Sequence, residues 1–405
     1  MPIIARIPIT NFYANGDYTA QIAVGSERTI VNVILDTGSS TLAVKSSKYN
    51  PSKDRALRST SYAQDVRYGT GGWAGPLVTT RVSLGVGDKA VSLEEAYLAI
   101  TDASLPDNFG NADGILGIAY KGLNRAYNLA AYFQQQEVQP PVSYPWPFSV
   151  ASSSTGLNQL MSFFQTLQFE DIPPYINQLK MYGGIANKFA FYTLRSTPSV
   201  ASENPETDPI NQGIFVLGGG EEQSDLYTGP FLNVAVLDDL YYNVNLKAVQ
   251  VGSSAIKAVA PLPVRLRQTA ITNAIVDSGT NSLALATDVW KSVLAGFAAI
   301  DPGFVTLIQQ AAATGIGNAS IELAKWPDVE FLLAGANGED VRLRVAPQTY
   351  WQLDAIAPGQ ALFAMENGNM PQSILGLPLM NNYYTVFDRS QDAYGIIRFA
   401  AIKSL

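Results

Sequence analysis

The sequence predicts a mainly β protein made of two similar halves. Most segments between Gly, Asn and Asp turns are short runs in which apolar and polar residues alternate, for example residues 18–24 and 341–345. A period of two is typical of half-buried strands. One motif also occurs twice, once in each half. At 405 residues the chain is long enough to form two lobes with separate cores.

The repeated motif places an Asp between a β-forming run and a Gly turn. The first copy, residues 34–40, is Ile-Leu-Asp-Thr-Gly-Ser-Ser, and the second, residues 275–280, is Ile-Val-Asp-Ser-Gly-Thr. Each copy is followed later by two apolar residues and a Gly, which is Gly117 in the first half and Gly376 in the second. The Gly after each Asp permits a tight turn that brings backbone amides near the carboxylate. Two such carboxylates are candidates for general acid–base chemistry on water.

Helical patterns are few. Leu157, Leu160, Met161 and Phe164 fall on one helical face, and residues 288–300 form a second candidate helix. We therefore expect short helices that are added to a structure built mainly of strands.

The absence of two residue types excludes several kinds of chemistry. The chain contains no His and no Cys. Ser-His and Cys-His nucleophilic pairs, zinc sites built from His or Cys, thiol redox chemistry and disulfides are therefore excluded. Metal sites made only of oxygen ligands and a Ser-Lys pair stay open.

The balance of charge argues against nucleic acid as a partner. Charged residues make up 15% of the chain and the net charge is −8, whereas binding to a polyanion needs clustered Lys and Arg. No apolar run reaches the roughly 18 residues that span a bilayer, and no signal peptide is visible, so no membrane partner is expected. Without Cys, the simplest location is a reducing cytoplasm, although a secreted chain without its leader would look the same.

Over residues 18–399 the chain resembles the pepsin-like aspartic proteases, and it is most similar to the bacterial pepsin homologues of the shewasin type. The matching stretches are both Asp motifs and residues 68–71, 113–120, 216–219, 374–376 and 383–389. The resemblance implies the pepsin-like acid protease fold, all-β and bilobal, in which two duplicated β-barrel-like lobes enclose a cleft. We expect lobes at residues 1–225 and 226–405, each with one catalytic Asp. We also expect no inhibitory pro-segment and activity as synthesised.

The resemblance also implies roles for individual residues. Asp36 and Asp277 would form a catalytic dyad that shares one proton, because like charges in contact cannot both ionise easily. The residues that would support the dyad are Thr37, Gly38, Ser39, Ser278, Gly279 and Thr280. The hydroxyls of Thr37 and Ser278 would brace the two loops, and those of Ser39 and Thr280 would bond the outer carboxylate oxygens.

A Gly-rich segment at Tyr68, Gly69 and Thr70 resembles the flap that closes over substrate; a plain β-hairpin with a surface Tyr stays open as the alternative. The family often has a Trp after the first catalytic Asp that hydrogen-bonds the flap Tyr, whereas this chain has Ala43 there. Trp73 lies close to the flap in the sequence. The resting position of the flap is therefore an open question.

Three apolar residues match the family's cleft walls: Ile115, Tyr241 and Ile374. Each is also the kind of residue that packs in a core. Residues 121–169, which we call the inserted segment, are longer than the family minimum. This segment shapes the cleft, forms a dimer contact or is inert; the sequence does not choose among these.

The predicted function is that of an aspartic endopeptidase. Water activated by the Asp dyad would hydrolyse peptide bonds at acidic pH, with a preference for apolar residues around the scissile bond and without metal or other cofactor. The expected partners are peptides or unfolded proteins and pepstatin-like inhibitors, and we expect a monomer. A catalytically silent pepsin-fold binding or inhibitor protein is the alternative. A metal enzyme that uses Asp36 and Asp277 as oxygen ligands is a third, less favoured option.

Overall fold

The computed structural model describes residues 3–67, 72–87, 90–104, 109–148, 154–268, 270–390 and 394–403. Strands account for 40% of the structure and helices for 21%, so the prediction of a mainly β protein is confirmed. The chain forms two compact units. The N-terminal unit is Thr19–Ile185, and the C-terminal unit combines Met1–Tyr18 with Ala186–Leu405.

The described residues form 28 strands, most of them short. The first thirteen are β1 (Ala5–Ala14), β2 (Asp17–Val24), β3 (Thr29–Asp36), β4 (Leu42–Lys45), β5 (Arg58–Arg67), β6 (Gly72–Leu84), β7 (Val91–Thr101), β8 (Ala103–Ser104), β9 (Gly114–Gly117), β10 (Arg125–Asn128), β11 (Phe169–Asp171), β12 (Lys188–Tyr192) and β13 (Gln212–Leu217). The others are β14 (Tyr227–Ala235), β15 (Asn243–Val244), β16 (Leu246–Val251), β17 (Lys257–Ala258), β18 (Ala274–Val276), β19 (Leu283–Leu285), β20 (Ile316–Gly317), β21 (Val329–Ala334), β22 (Asp340–Val345), β23 (Trp351–Gln352), β24 (Gln360–Phe363), β25 (Met365–Asn367), β26 (Ser373–Leu375), β27 (Tyr383–Asp388) and β28 (Ile396–Ile402).

The α-helices of the described residues are few, as the sequence predicts. They are α1 (Ala130–Gln135), α2 (Ser154–Phe164), α3 (Tyr175–Tyr182), α4 (Thr287–Ile300), α5 (Pro302–Thr314), α6 (Pro347–Tyr350) and α7 (Leu377–Met380). Both predicted helices are present as α2 and α4, and the four apolar residues expected on one face of α2 are buried. Across the described part of the chain, none of the helices is long and apolar enough to cross a membrane.

In the N-terminal unit, six strands close into a ring. Strand β2 pairs with β3, β3 with β9, β9 with β4, β4 with β7, β7 with β6, and β6 returns to β2. The β-branched and Leu side chains of these strands supply the core, with Val33, Leu35, Val44 and Leu98 fully buried. This ring is the β-barrel that the sequence predicts for the first half.

The strands of the C-terminal unit form several sheets. Six strands are ordered β1-β13-β12-β27-β28-β14, and a second sheet has the order β15-β18-β26-β19-β25. Two smaller sheets are β17-β16-β21-β22 and β20-β24-β23. One face of the first sheet carries a cluster of rings in which Phe189 stacks on Phe387 at 5.1 Å between centroids. Phe191 and Phe215 complete this cluster at 5.1 Å from each other.

Residues 186–225 pack with the C-terminal part of the chain. Strand β12 pairs antiparallel with β27, and β13 pairs with both β12 and β1. The compact units therefore divide the chain at residues 18 and 185, whereas the sequence predicts a lobe boundary at residue 225. The difference arises because strand pairing between residues far apart in the chain groups β12 and β13 with β27.

The inserted segment packs on the β5–β6 hairpin of the N-terminal unit. Its strand β10 pairs with β5, with Tyr127 opposite Ala63, and β11 pairs with β10. Helices α1 and α2 cover the hairpin through an apolar cluster that includes Ala74, Met161 and Phe164. This packing places the inserted segment beside the hairpin. It does not choose among the three roles that the sequence left open.

Candidate active site

The first repeated Asp ends strand β3 and is held by the loop that follows it. The backbone N–H of Gly38 donates to Oδ1 of Asp36 at 2.7 Å, and the Ser39 hydroxyl donates to Oδ2 at 2.5 Å. Asp36 is only 7% exposed. Each oxygen of the carboxylate therefore has its own donor, which keeps a buried carboxylate satisfied.

The second repeated Asp is held in the same way. It follows β18, and the backbone N–H of Gly279 donates to Oδ1 of Asp277 at 2.9 Å. The Thr280 hydroxyl donates to Oδ2 at 2.8 Å, and Asp277 is also 7% exposed. Within each unit, one Asp, one Gly amide and one hydroxyl thus form equivalent cradles.

The apolar-apolar-Gly segments lie directly beside these two loops. Strand β9 runs parallel to β3 with Leu116 opposite Leu35, and β26 runs parallel to β18 with Leu375 opposite Val276. Each of these segments also pairs antiparallel with the strand that follows the Asp loop, β4 in the first unit and β19 in the second. The duplication seen in the sequence is therefore present as a repeated arrangement of three strands.

The glycines of these segments are required by close approach of backbone to backbone. A Cβ on Gly117 would lie 2.3 Å from the backbone N of Ser40, and a Cβ on Gly376 would lie 2.3 Å from the backbone O of Thr280. Contacts under 3.0 Å are too short for a real Cβ. In each unit, the residue after the Gly also donates a backbone hydrogen bond to the Asp loop. Ile118 N donates to Asp36 O at 2.8 Å, and Leu377 N donates to Thr280 O at 2.9 Å.

The two residues expected to brace the loops, Thr37 and Ser278, are both buried. Each belongs to a different compact unit. The direct brace between their hydroxyls stays a prediction, as does the approach of Asp36 to Asp277.

A third carboxyl near Asp277 was missed by the sequence analysis. Asp17 follows a turn in which Asn15 and Gly16 have φ of 54° and 126°, so the sequence suggests an ordinary polar turn residue. Its Oδ1 is nevertheless buried and has no hydrogen-bond partner within the described residues. Burial, and to a lesser extent the charge of Asp277, raise the pKa of Asp17 to about 8. No local sequence signal could have shown this proximity.

The predicted flap residues Tyr68, Gly69 and Thr70 lie outside the described residues. The strands on either side, β5 and β6, pair antiparallel up to Arg67 and Gly72. Trp73, the first ring after this segment, is fully buried.

Ala43 occupies a crowded position where the family often has Trp. It is fully buried in β4, between Ala99 of β7 and Ile115 of β9. A larger side chain at this position would have to displace its neighbours.

The three candidate pocket residues differ in burial. Ile115 is buried in β9, opposite Ile34. Tyr241 and Ile374 of the C-terminal unit are partly exposed, and Ile374 lies opposite Ile275 in the strand pair that precedes Asp277. Their contact with substrate stays a prediction.

A mostly β chain with two equivalently built Asp-hydroxyl-Gly loops has the features of an aspartic endopeptidase. The family model described as "Eukaryotic aspartyl protease" matches residues 17–156 and 164–400. The chain therefore belongs to this family and is an aspartic endopeptidase, and its resemblance to the pepsin-like proteases is confirmed.

Named relatives align along nearly the whole chain at low identity. Vacuolar protease A of Neurospora crassa is 24% identical, with 96% of this chain and 80% of the relative aligned. Beta-secretase of Strongylocentrotus purpuratus is also 24% identical, with 94% of this chain and 66% of the relative aligned. Pepsin A of Gallus gallus is 22% identical, with 96% and 86% aligned.

Proposed function

We propose that Asp36 and Asp277 act together as the catalytic dyad of this endopeptidase. The observation that supports the proposal is the equivalence of the two cradles, in which a Gly amide and a hydroxyl bind the two oxygens of each carboxylate. Equivalent cradles in two units suit a pair of carboxylates that share one task. The proton belongs to the pair rather than to either residue.

In the proposed reaction, the ionised carboxyl of the pair takes a proton from water while the water oxygen bonds to the scissile carbonyl carbon. The protonated carboxyl donates its proton to the carbonyl oxygen. The tetrahedral intermediate then collapses: one of its hydroxyls gives a proton to the ionised carboxyl, the other carboxyl donates its proton to the leaving nitrogen, and the carbon–nitrogen bond breaks. The pair again holds one proton. The Gly and hydroxyl donors hold each carboxylate in one orientation through these steps.

The proposed substrates are peptides and unfolded proteins with apolar residues on both sides of the scissile bond. Ile115, Tyr241 and Ile374 would contact those side chains, with Tyr68, Gly69 and Thr70 closing over them. Pepstatin-like inhibitors should bind the same site. The relatives carry the names of proteases, and a silent binding or inhibitor protein is not favoured.

Three finer expectations belong to the proposal. We expect a monomer without nucleic acid or membrane partners, a cytoplasmic location, and a place among the bacterial homologues. The named relatives are eukaryotic, and one group of them is called vacuolar, so the relatives support neither the bacterial type nor the cytoplasmic location.

The decisive experiment replaces each member of the dyad with its isosteric amide. Asp36→Asn and Asp277→Asn should each remove nearly all hydrolysis of an unfolded protein at pH 3–7, and the double variant should be little worse, because the residues act as a unit. Asp301→Asn is the matched control, since Asp301 also accepts from the Gly two residues later, Gly303 N at 2.7 Å, but at an exposed helix start.

Asp301→Asn should leave turnover unchanged. Pepstatin should inhibit the wild-type protein and EDTA should not. Substantial turnover in either dyad variant would contradict the proposed dyad. Binding of pepstatin without any hydrolysis would instead support the silent binding protein.

A further inference from the structure

A buried amide links three elements of the N-terminal unit. Asn124 lies at the start of the inserted segment and is 3% exposed. Its two neighbours, Thr41 and Gln64, are 3% and 1% exposed. We call these three side chains the Asn124 hub. Thr41 belongs to the loop that begins at Asp36, and Gln64 belongs to β5 of the hairpin.

The hydrogen bonds of the hub converge on one oxygen. Oδ1 of Asn124 accepts from the Thr41 hydroxyl at 3.0 Å and from Nε2 of Gln64 at 2.9 Å. Gln64 Nε2 also donates to the backbone O of Arg125 at 3.0 Å. A single carbonyl oxygen thus connects the catalytic loop to the hairpin strand.

The other side of Asn124 is anchored to Ile172, just beyond the end of the inserted segment. Its Nδ2 donates to the backbone O of Ile172 at 3.2 Å, and its own backbone O accepts from Ile172 N at 2.9 Å. Both polar ends of the amide are therefore satisfied by partners that are fixed elsewhere in the fold. A fully satisfied buried polar network favours one arrangement of the elements it joins.

Apolar packing also holds the hairpin against the inserted segment. Ala63 and Ala74, one from each strand of the hairpin, contact the aromatic cluster of α2. A Cβ on Gly72, the first residue of β6, would lie 3.8 Å from Cε of Met161. Because Ala63 and Ala74 are small, helix α2 of the inserted segment packs closely on the hairpin.

We propose that Asn124 is a positioning residue that sets the β5–β6 hairpin relative to the Asp36 loop through Gln64 and Thr41. The inference rests on the proposed function of Asp36. None of the three side chains titrates, so the link persists at the acidic pH where the enzyme works. Loss of the link should let the hairpin shift, and a shift of the order of 1 Å can reduce turnover roughly a hundredfold.

The first test is independent of activity. Thr41→Val replaces the hydroxyl with a methyl group of similar size. Amide hydrogen exchange then measures whether the hairpin has become less protected. The amides of residues 63–67, which are remote in sequence from Thr41, should exchange faster in Thr41→Val and at the wild-type rate in Thr41→Ser. Unchanged exchange in Thr41→Val would overturn the proposed coupling.

The second test measures turnover of a fluorogenic peptide with apolar residues at the scissile bond. Thr41→Val, Gln64→Met and Asn124→Leu should each lower kcat at least about tenfold without shifting the pH profile. The double variant Thr41→Val/Gln64→Met should resemble the worse single variant, because both act through one oxygen. Thr41→Ser should stay within about twofold of wild type.

Tyr175→Phe is the control for a general loss of stability. It removes a buried hydrogen bond of the same unit, from the Tyr175 hydroxyl to Val82 O at 3.0 Å, which lies outside the Asp36 loop and beyond Thr79, the last residue of β6 that pairs with β5. If Tyr175→Phe and Thr41→Val lower Tm by similar amounts, Tyr175→Phe should still keep the wild-type kcat. Equal losses of kcat in Tyr175→Phe and Thr41→Val would overturn the inference. A wild-type protein without turnover would refute the proposed function, and hydrogen exchange would still decide the coupling.

Discussion

At the scale of single residues, Gly117 and Gly376 let one strand touch the loop beside it. Neither needs an unusual φ; what each position requires is the absence of a Cβ, since the nearest backbone atom would be 2.3 Å away. Backbone atoms held in a sheet cannot move aside as the end of a flexible side chain can. The two glycines therefore allow the close packing that places each Asp loop.

We expect Gly117→Ala and Gly376→Ala each to lower the free energy of unfolding by about 3 kcal/mol, because a methyl group is forced into a filled space. Urea denaturation measures this change. Gly317→Ala is the control, since its nearest atom is 3.8 Å away, and its stability should stay within about 1 kcal/mol of wild type. Wild-type stability of Gly117→Ala would contradict the explanation.

Asp17 should make the free energy of unfolding depend on pH. Its folded pKa of about 8 is above the unfolded value of 3.8. Between these values the folded protein keeps a proton that the unfolded chain has lost, so stability falls as pH rises through this window. Asp17→Asn should remove this fall in the free energy of unfolding. In urea denaturation, the free energy of unfolding of the variant should therefore exceed that of wild type by an amount that grows from pH 4 to pH 8. Parallel pH dependences for variant and wild type would show that Asp17 is not perturbed in this way.

At the scale of elements, Asp54 ties the segment after β4 to two neighbouring elements. It accepts hydrogen bonds from Ser26 N at 2.8 Å, in the turn between β2 and β3, and from the hydroxyls of Tyr49 and Thr80, each at 2.5 Å. Burial alone would raise the pKa of Asp54, but these donors together with Ala56 N outweigh burial and lower it. The carboxylate form is thus the one that holds these elements together.

We expect the stabilisation by Asp54 to be present at neutral pH and lost on acidification. Because its folded pKa lies below the unfolded value of 3.8, the contribution is complete above that value and disappears as pH falls through the folded pKa. Asp54→Asn should therefore have a lower Tm than wild type at pH 7, and the difference should shrink below pH 4. A difference in Tm that is constant from pH 7 to pH 3 would contradict the assignment.

The inserted segment acts at the same scale by covering one face of the hairpin. Its strand β10 extends the sheet at β5. The rings of Trp146 and Phe148, with 4.9 Å between their centroids, pack against the apolar cluster that contains Ala63 and Ala74 of the hairpin. A two-stranded hairpin alone is only marginally stable in water. Packing by the inserted segment therefore stabilises the part of the chain that precedes and follows the predicted flap.

At the scale of the whole molecule, the absence of His limits the groups that can exchange protons near neutral pH. Acid–base catalysis by two carboxyls requires one proton on the pair, so the fully protonated and doubly ionised forms are inactive. We therefore expect a bell-shaped dependence of kcat/KM on pH, with its maximum on the acidic side. Rates of peptide hydrolysis across pH 2–8 measure it, with EDTA as the control. Maximal activity at pH 8 that EDTA abolishes would refute the mechanism.

The sequence alone predicts the type of fold and the reactive groups of the molecule. Alternation and turn residues predict a mainly β protein, and the repeated Asp motif predicts two equivalent loops, because both signals depend on residues close together in the chain. The pattern of α2 was equally local, with apolar residues at helical spacing. These parts of the prediction needed no knowledge of which strands pair.

The tertiary structure decided what depends on residues far apart in sequence. Sheet pairing groups β12 and β13 with β27, and it brings Gly117 and Gly376 against their loops. Burial beside Asp277 makes Asp17 an unusual carboxyl although its sequence context is that of a turn. Asn124 likewise joins Thr41 to Gln64 only after β10 has paired with β5. The sequence by itself determined the reactive groups and the type of fold, whereas long-range strand pairing determined their neighbours.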